Sequence, residues 1–175
     1  MAYSNKQDNT LDSETWNIAQ GFAYAKVLMP LIQIDSYMDV AMYGVEELGQ
    51  EEFISPNKLA LNRRDGLKRA TTTLLKVLRN VKFKINDKDK TKFDTYIVSV
   101  KMVFKHLDNL LEVRHDDLTK QKEIKINEEY FKLCYDILQR ILEEINTPLN
   151  NAGLIFKITD EIDLDKIKLD IIKGG

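Results

Sequence analysis

Few side chains in this chain have the type and spacing needed for chemistry. Glu112-Val113-Arg114-His115 carries the Glu-x-x-His spacing that places two iron ligands on one helical face. Such a centre needs a second Glu-x-x-His and two further inward Glu. The chain has only 2 His and no second copy of the motif, so a solvated helix end is the better reading. Ser99 and His106 fall on nearly one face of a helix, as a nucleophile and its base would. Their separation along the axis is about 10 Å, beyond hydrogen-bond reach, which leaves two boundary residues. Cys134, the single cysteine, falls on an apolar stripe, where a buried thiol is inert.

Other catalytic patterns fail at the residues that would count. Some helical-bundle ribonucleases place an Arg a helical turn or more before a His. Here Arg114 adjoins His115, and no Arg stands at that distance before His106. Neither a Gly-x-Gly-x-x-Gly, a phosphate loop ending Gly-Lys-Ser/Thr, nor a His-Glu-x-x-His occurs. The Gly174-Gly175 end reads as a frayed terminus rather than a processed tail. The expectation is a non-enzyme with no cofactor and no metal.

Charge is distributed more tellingly than chemistry. The formal net charge is −2 over 175 residues, with 43% hydrophobic and 31% charged residues, a composition that can build a core and excludes low-complexity or wholly disordered classes. Residues 1–55 hold 2 Lys/Arg against 9 Asp/Glu, residues 56–125 hold 18 against 9, and residues 126–175 hold 6 against 10. A basic middle between acidic ends is either neutralised within the chain or a neighbouring copy, or meets an acidic partner. Between Arg63 and Lys92 there are 11 Lys/Arg against Asp65, Asp87 and Asp89, enough for non-specific phosphate contacts. Phe83 and Phe93 flank that segment and read as core-directed, so it lacks interleaved aromatics.

Four amphipathic helices are expected to position these charges. Residues 1–12 read as a mobile arm, after which Asp12 or Ser13 caps a first helix. Ile18, Phe22, Ala25, Met29 and Ile32 form its stripe, continuing through Ile34, Met38 and Met42 to a stop at Gly44. Pro30 predicts a kink or break within it. Ser55-Pro56 starts a second helix to about Phe83, with Leu67, Ala70, Leu74, Val77 and Val81 inward. Arg64, Lys68, Lys76, Arg79 and Lys82 fall on its outer, basic face, with Thr72 among them. Gly66 inside this helix marks either close packing or a neutral replacement.

The KINDKDK turn, with Asp87 or Asp89 as cap, leads to a third helix from about Lys88 to Arg114. Its stripe is Phe93, Tyr96/Ile97, Val100, Val103/Phe104, Leu107 and Leu110/Leu111. A polar link (HDDLTKQKEIKI) precedes Asn127, which caps a final helix bearing Phe131, Cys134, Ile137/Leu138, Ile141/Leu142 and Ile145. Pro148 closes this helix by about Asn146. Beyond it, apolar residues alternate with period two through Ile158, Ile162, Leu164, Ile167, Leu169 and Ile171, which reads as an extended arm or hairpin.

The expected architecture is a mostly α, antiparallel bundle of four main helices over residues 13–150, with an extended or β segment over 151–175. Absent catalytic groups, complementary charge blocks and two arms point to a non-catalytic subunit acting through protein contacts. It would self-assemble as a homo-oligomer or dock in a larger multi-copy complex, as bundle-plus-arms subunits do in virus or phage particles. The alternatives are non-specific nucleic-acid binding through the basic 63–92 face, and a small inhibitor of another protein. The start, Met1-Ala2-Tyr3-Ser4, lacks secretory or myristoylation signals, and Asp35 and Asp39 interrupt the most apolar stretch. The expected location is the cytoplasm, or the particle if the assembly reading holds, and no membrane partner is expected.

Overall fold

The computed structural model describes residues 21–44 and 54–155. The expected first cap at Asp12 or Ser13, the N-terminal arm and every arm residue from Ile158 to Ile171 lie outside these. The described chain is mostly α. Four helices, α1 (Met29–Tyr43), α2 (Pro56–Val81), α3 (Asp87–His106) and α4 (Glu128–Glu144), are joined by a two-stranded hairpin and followed by a short helix, α5 (Asn146–Asn151). Among the described residues, no helix is long and apolar enough to cross a membrane.

Local chemistry sets most of the helix ends. Ser55 accepts a hydrogen bond from the Lys58 N–H, with Pro56 in the first turn, where its missing donor costs nothing. Asn127 likewise accepts from the Tyr130 N–H, with Glu128 and Glu129 facing the positive end of α4. The start of α3 differs from the sequence expectation. Asn86 occupies the capping position without a side-chain bond, and Asp87 and Asp89 lie in the first turn instead.

The first helix corrects a second expectation. Pro30 does not break it. Of the kink or break expected there, the helix carries a local distortion: a π-helical turn, Tyr24–Leu28, leads directly into α1, with the Met29 N–H reaching back to the Tyr24 carbonyl. The wider turn shifts the helix's register, so the buried residues are Ala23, Val27, Ile34, Met38 and Ala41. Met29 and Ile32, placed inward by uniform periodicity, are exposed. The helix ends as expected at Gly44, whose φ of 82° is in the region that suits glycine.

The largest correction concerns residues 107–126. The third helix stops at His106, passes through a 3-10 turn (Leu107–Leu110), and becomes strand β1 (Leu111–His115). The segment read as a polar link holds strand β2 (Lys122–Ile126), antiparallel to β1, with Leu111 opposite Ile126 and Val113 opposite Ile124. Ile124 and Ile126 point inward while their neighbours face solvent, the alternation of a half-buried strand. Asn57 on α2 holds the outer edge of β2. Its side-chain amide donates to the Lys122 carbonyl at 2.7 Å and accepts from the Ile124 N–H at 2.9 Å. An otherwise open strand edge is thereby satisfied. The connection into α5 is also more helical than expected: Pro148 sits within that helix, where it is buried.

Helix α2 runs through the middle of the bundle. Leu67, Ala70, Leu74, Val77 and Val81 are all buried, as their spacing predicts, joined by Thr71 and Leu78. Thr71 satisfies its hydroxyl by donating to the Leu67 carbonyl of its own helix. Consecutive helices run antiparallel: Gly66 meets Ala41 while Lys84, beyond the other end of α2, sits over Phe22. Tyr96 contacts Glu144, and His106 lies beside Tyr130, which orients α3 against α4 in the same sense.

Gly66 is where α1 and α2 pack backbone to backbone. A Cβ added there would lie 2.7 Å from the Ala41 nitrogen and 2.8 Å from the Tyr37 oxygen, atoms that no rotamer change can move. Gly66→Ala should therefore destabilise the fold by about 1–2 kcal/mol, the overpacking cost outweighing alanine's better helix propensity. Urea unfolding followed by circular dichroism measures this. A second test uses Asp35, whose carboxyl is pushed above its ordinary value by burial and then by the neighbouring Asp39. Such a group favours the folded state most when protonated, so its contribution is full below the unfolded pKa and lost as pH rises through the folded one. Asp35→Asn should thus raise the melting temperature at neutral pH and leave it unchanged in acid.

Candidate functional site

None of the sequence's catalytic candidates forms a reactive constellation. Glu112 and His115 lie on β1, not on a helix, and three residues apart on a strand they face opposite sides. Glu112 instead accepts a hydrogen bond from the Asn127 side chain. No group of three or more His, Cys, Asp or Glu suited to a metal occurs among the described residues. Ser99 and His106 are half-buried on α3, and His106 packs edge-on to Tyr130 with ring centres 6.1 Å apart. Cys134 is buried, and desolvation pushes its thiol above the ordinary value, away from the reactive thiolate.

A groove of about 460 Å³ lies between the start of α2, the hairpin and the start of α4. Arg63 lies at its edge and explains its construction. The guanidinium forks onto the Glu128 carboxylate at 2.7 and 3.3 Å, donates through Nε to the Ala41 carbonyl at 3.0 Å, and lies 4.7 Å from the Phe131 ring centre. One side chain thus ties α1, α2 and α4 together and satisfies a carbonyl at the end of α1. Its role is structural, and it was legible: Arg63 sits one turn before Leu67 on the inward stripe of α2.

The expected basic face is present but differently composed. Arg64 is half-buried and pairs with Asp65, and Lys82 pairs with Asp94 at 2.6 Å. Lys68, Lys76 and Arg79 are exposed and have no ion-pair partner among the described residues. Arg69, beside Lys68, is also exposed and joins them. Tyr37, Asp65, Lys68, Arg69, Thr72 and Thr73 line a groove of about 490 Å³ along the α1–α2 seam.

A second exposed surface lies on α3 and α4 and was not anticipated. Met102 and Ile137 line a groove of about 320 Å³ together with Thr95, Ser99, Arg140 and Glu144. One turn before Met102 and Ile137 on these antiparallel helices, and so toward opposite ends of the groove, stand Val98 and Leu133. With Met102 they are exposed large apolar side chains (Val98 58%, Met102 57%, Leu133 57%). The signal for Leu133 was in the sequence, since it lies off the stripe defined by Phe131, Cys134 and Leu138. At the far end of the groove the Tyr96 hydroxyl donates to Glu144 at 3.2 Å, and burial followed by that carboxylate pushes the phenol's pKa up.

Replacing Arg63 tests its structural assignment. Arg63→Ala should cost about 2–3 kcal/mol through the lost charged hydrogen bonds and ring contact. Arg63→Lys should recover only part of this, because an ammonium cannot form the fork. Denaturant titration of both variants measures the difference. No protein-family model, curated protein or solved structure matches this chain.

Proposed function

We propose that the protein is a non-catalytic subunit that pairs with a second copy of itself through the α3–α4 surface, as one contact within a multi-copy assembly. The observation that carries this reading is the exposure of Val98, Met102 and Leu133 on the two helices that frame the groove at Ile137. Several large apolar side chains turned to solvent on two packed helices mark a surface that another surface can cover. The rim supplies self-complementarity. Arg140 and Glu144 are exposed on the same helix, so two copies related by a two-fold axis can present opposite charges to each other. The expected C-terminal arm would add a second contact, with β1 offering an exposed strand edge for a period-two segment.

Light scattering coupled to size-exclusion chromatography tests the reading. The full chain should elute above its 20.3 kDa monomer mass. Met102→Asp combined with Leu133→Asp should return it to one chain without loss of helical circular dichroism, since both positions are exposed. Deleting residues 156–175 should reduce any mass beyond the dimer. A wild-type monomer at high concentration and low salt would overturn the proposal.

A further inference from the structure

Of the two phenylalanines that flank the basic segment and are expected to be core-directed, Phe93 is buried and Phe83 is not. Phe83 is 82% exposed, because Val81 and Ile85 fill the core on either side of it. Lys82 keeps helical backbone angles after the last residue of α2, so Phe83 continues the helix's outward line. At about 100° per residue, that line runs through Lys68, Arg69, Thr72, Lys76 and Arg79. An exposed aromatic ring thus closes a row of four cations, none with an ion-pair partner among the described residues, extending about 22 Å at 1.5 Å per residue.

We propose that this row is a track for single-stranded nucleic acid, in which Lys68, Arg69, Lys76 and Arg79 hold phosphates and Phe83 stacks on a base. The charge distribution favours a polyanion. Asp65, the carboxylate on this face of α2, is held by Arg64, and Lys82 is already paired with Asp94. The ring favours an unpaired strand. A side chain on an outward helix face can stack on a splayed base, whereas paired bases offer it no free π-face. Base-specific reading is not expected, because the Thr72 hydroxyl is occupied by the Lys68 carbonyl and the remaining groups are charge and ring. This track lies on α2 and is independent of the α3–α4 pairing surface, so either can fail without the other.

Fluorescence anisotropy of the full chain with a labelled oligothymidylate of about 20 nucleotides tests the proposal, site sizes on such surfaces being of this order or smaller. Four phosphate contacts predict an affinity loss of about 50-fold between about 50 and 200 mM salt. Phe83→Ala should weaken binding about tenfold at each salt concentration with the salt slope unchanged, and Phe83→Trp should retain affinity. Lys76→Glu with Arg79→Glu should abolish binding, with circular dichroism showing that these exposed substitutions leave the helices intact. Absence of binding at low salt would overturn the proposal. So would polyglutamate competing as well as DNA with no effect of Phe83→Ala, the result expected of a surface for acidic proteins.

Discussion

The contact at Gly66 is the constraint on which the rest of this bundle depends. With no side chain there, the α1 backbone at Tyr37 and Ala41 lies directly against α2. That approach fixes the rotation of α2 about its own axis. Once Gly66 faces α1, Leu67, Ala70 and Leu74 must face the core, and Lys68, Lys76 and Arg79 must face water. The same rotation brings Arg63 within reach of the Ala41 carbonyl and the Glu128 carboxylate. A residue with poor helix propensity is therefore tolerated in the middle of the longest helix because packing outweighs it.

Helix α2 is also where sequence and structure agree most closely, since a long amphipathic segment with a Ser-Pro start leaves little ambiguity. The Asn127 cap and the inward residues of α4 were legible for the same reason. What escaped was short or irregular. Leu107, Leu110 and Leu111 extend the spacing of α3, so a helix to Arg114 was the economical reading. Five-residue strands such as LEVRH and KEIKI alternate too briefly to displace it; their pairing with each other makes the hairpin, and Asn57 satisfies the outer edge of β2. In the first helix a π turn altered the period itself, which no reading at constant angle detects.

The two exposed surfaces were legible to different degrees. The cations of α2 could be read by angle, but which of them remain available depended on tertiary partners: Asp94 from α3 removes Lys82 from the set. Phe83 was assigned inward because it is apolar. Two residues past the end of a helix, hydrophobicity no longer specifies direction, and Ile85 took the interior place. The exposed apolar surface on α3 and α4 is the converse case, apolar residues lying beside a stripe that was already full.

Cys134 gives the molecule an internal reporter. The sole thiol of the chain is buried on the inner side of α4 and held protonated, so a thiol-alkylating reagent in solvent has no target while the helices stay docked. Modification then requires α4 to lift away or the whole body to open, and its rate reads the frequency of that excursion.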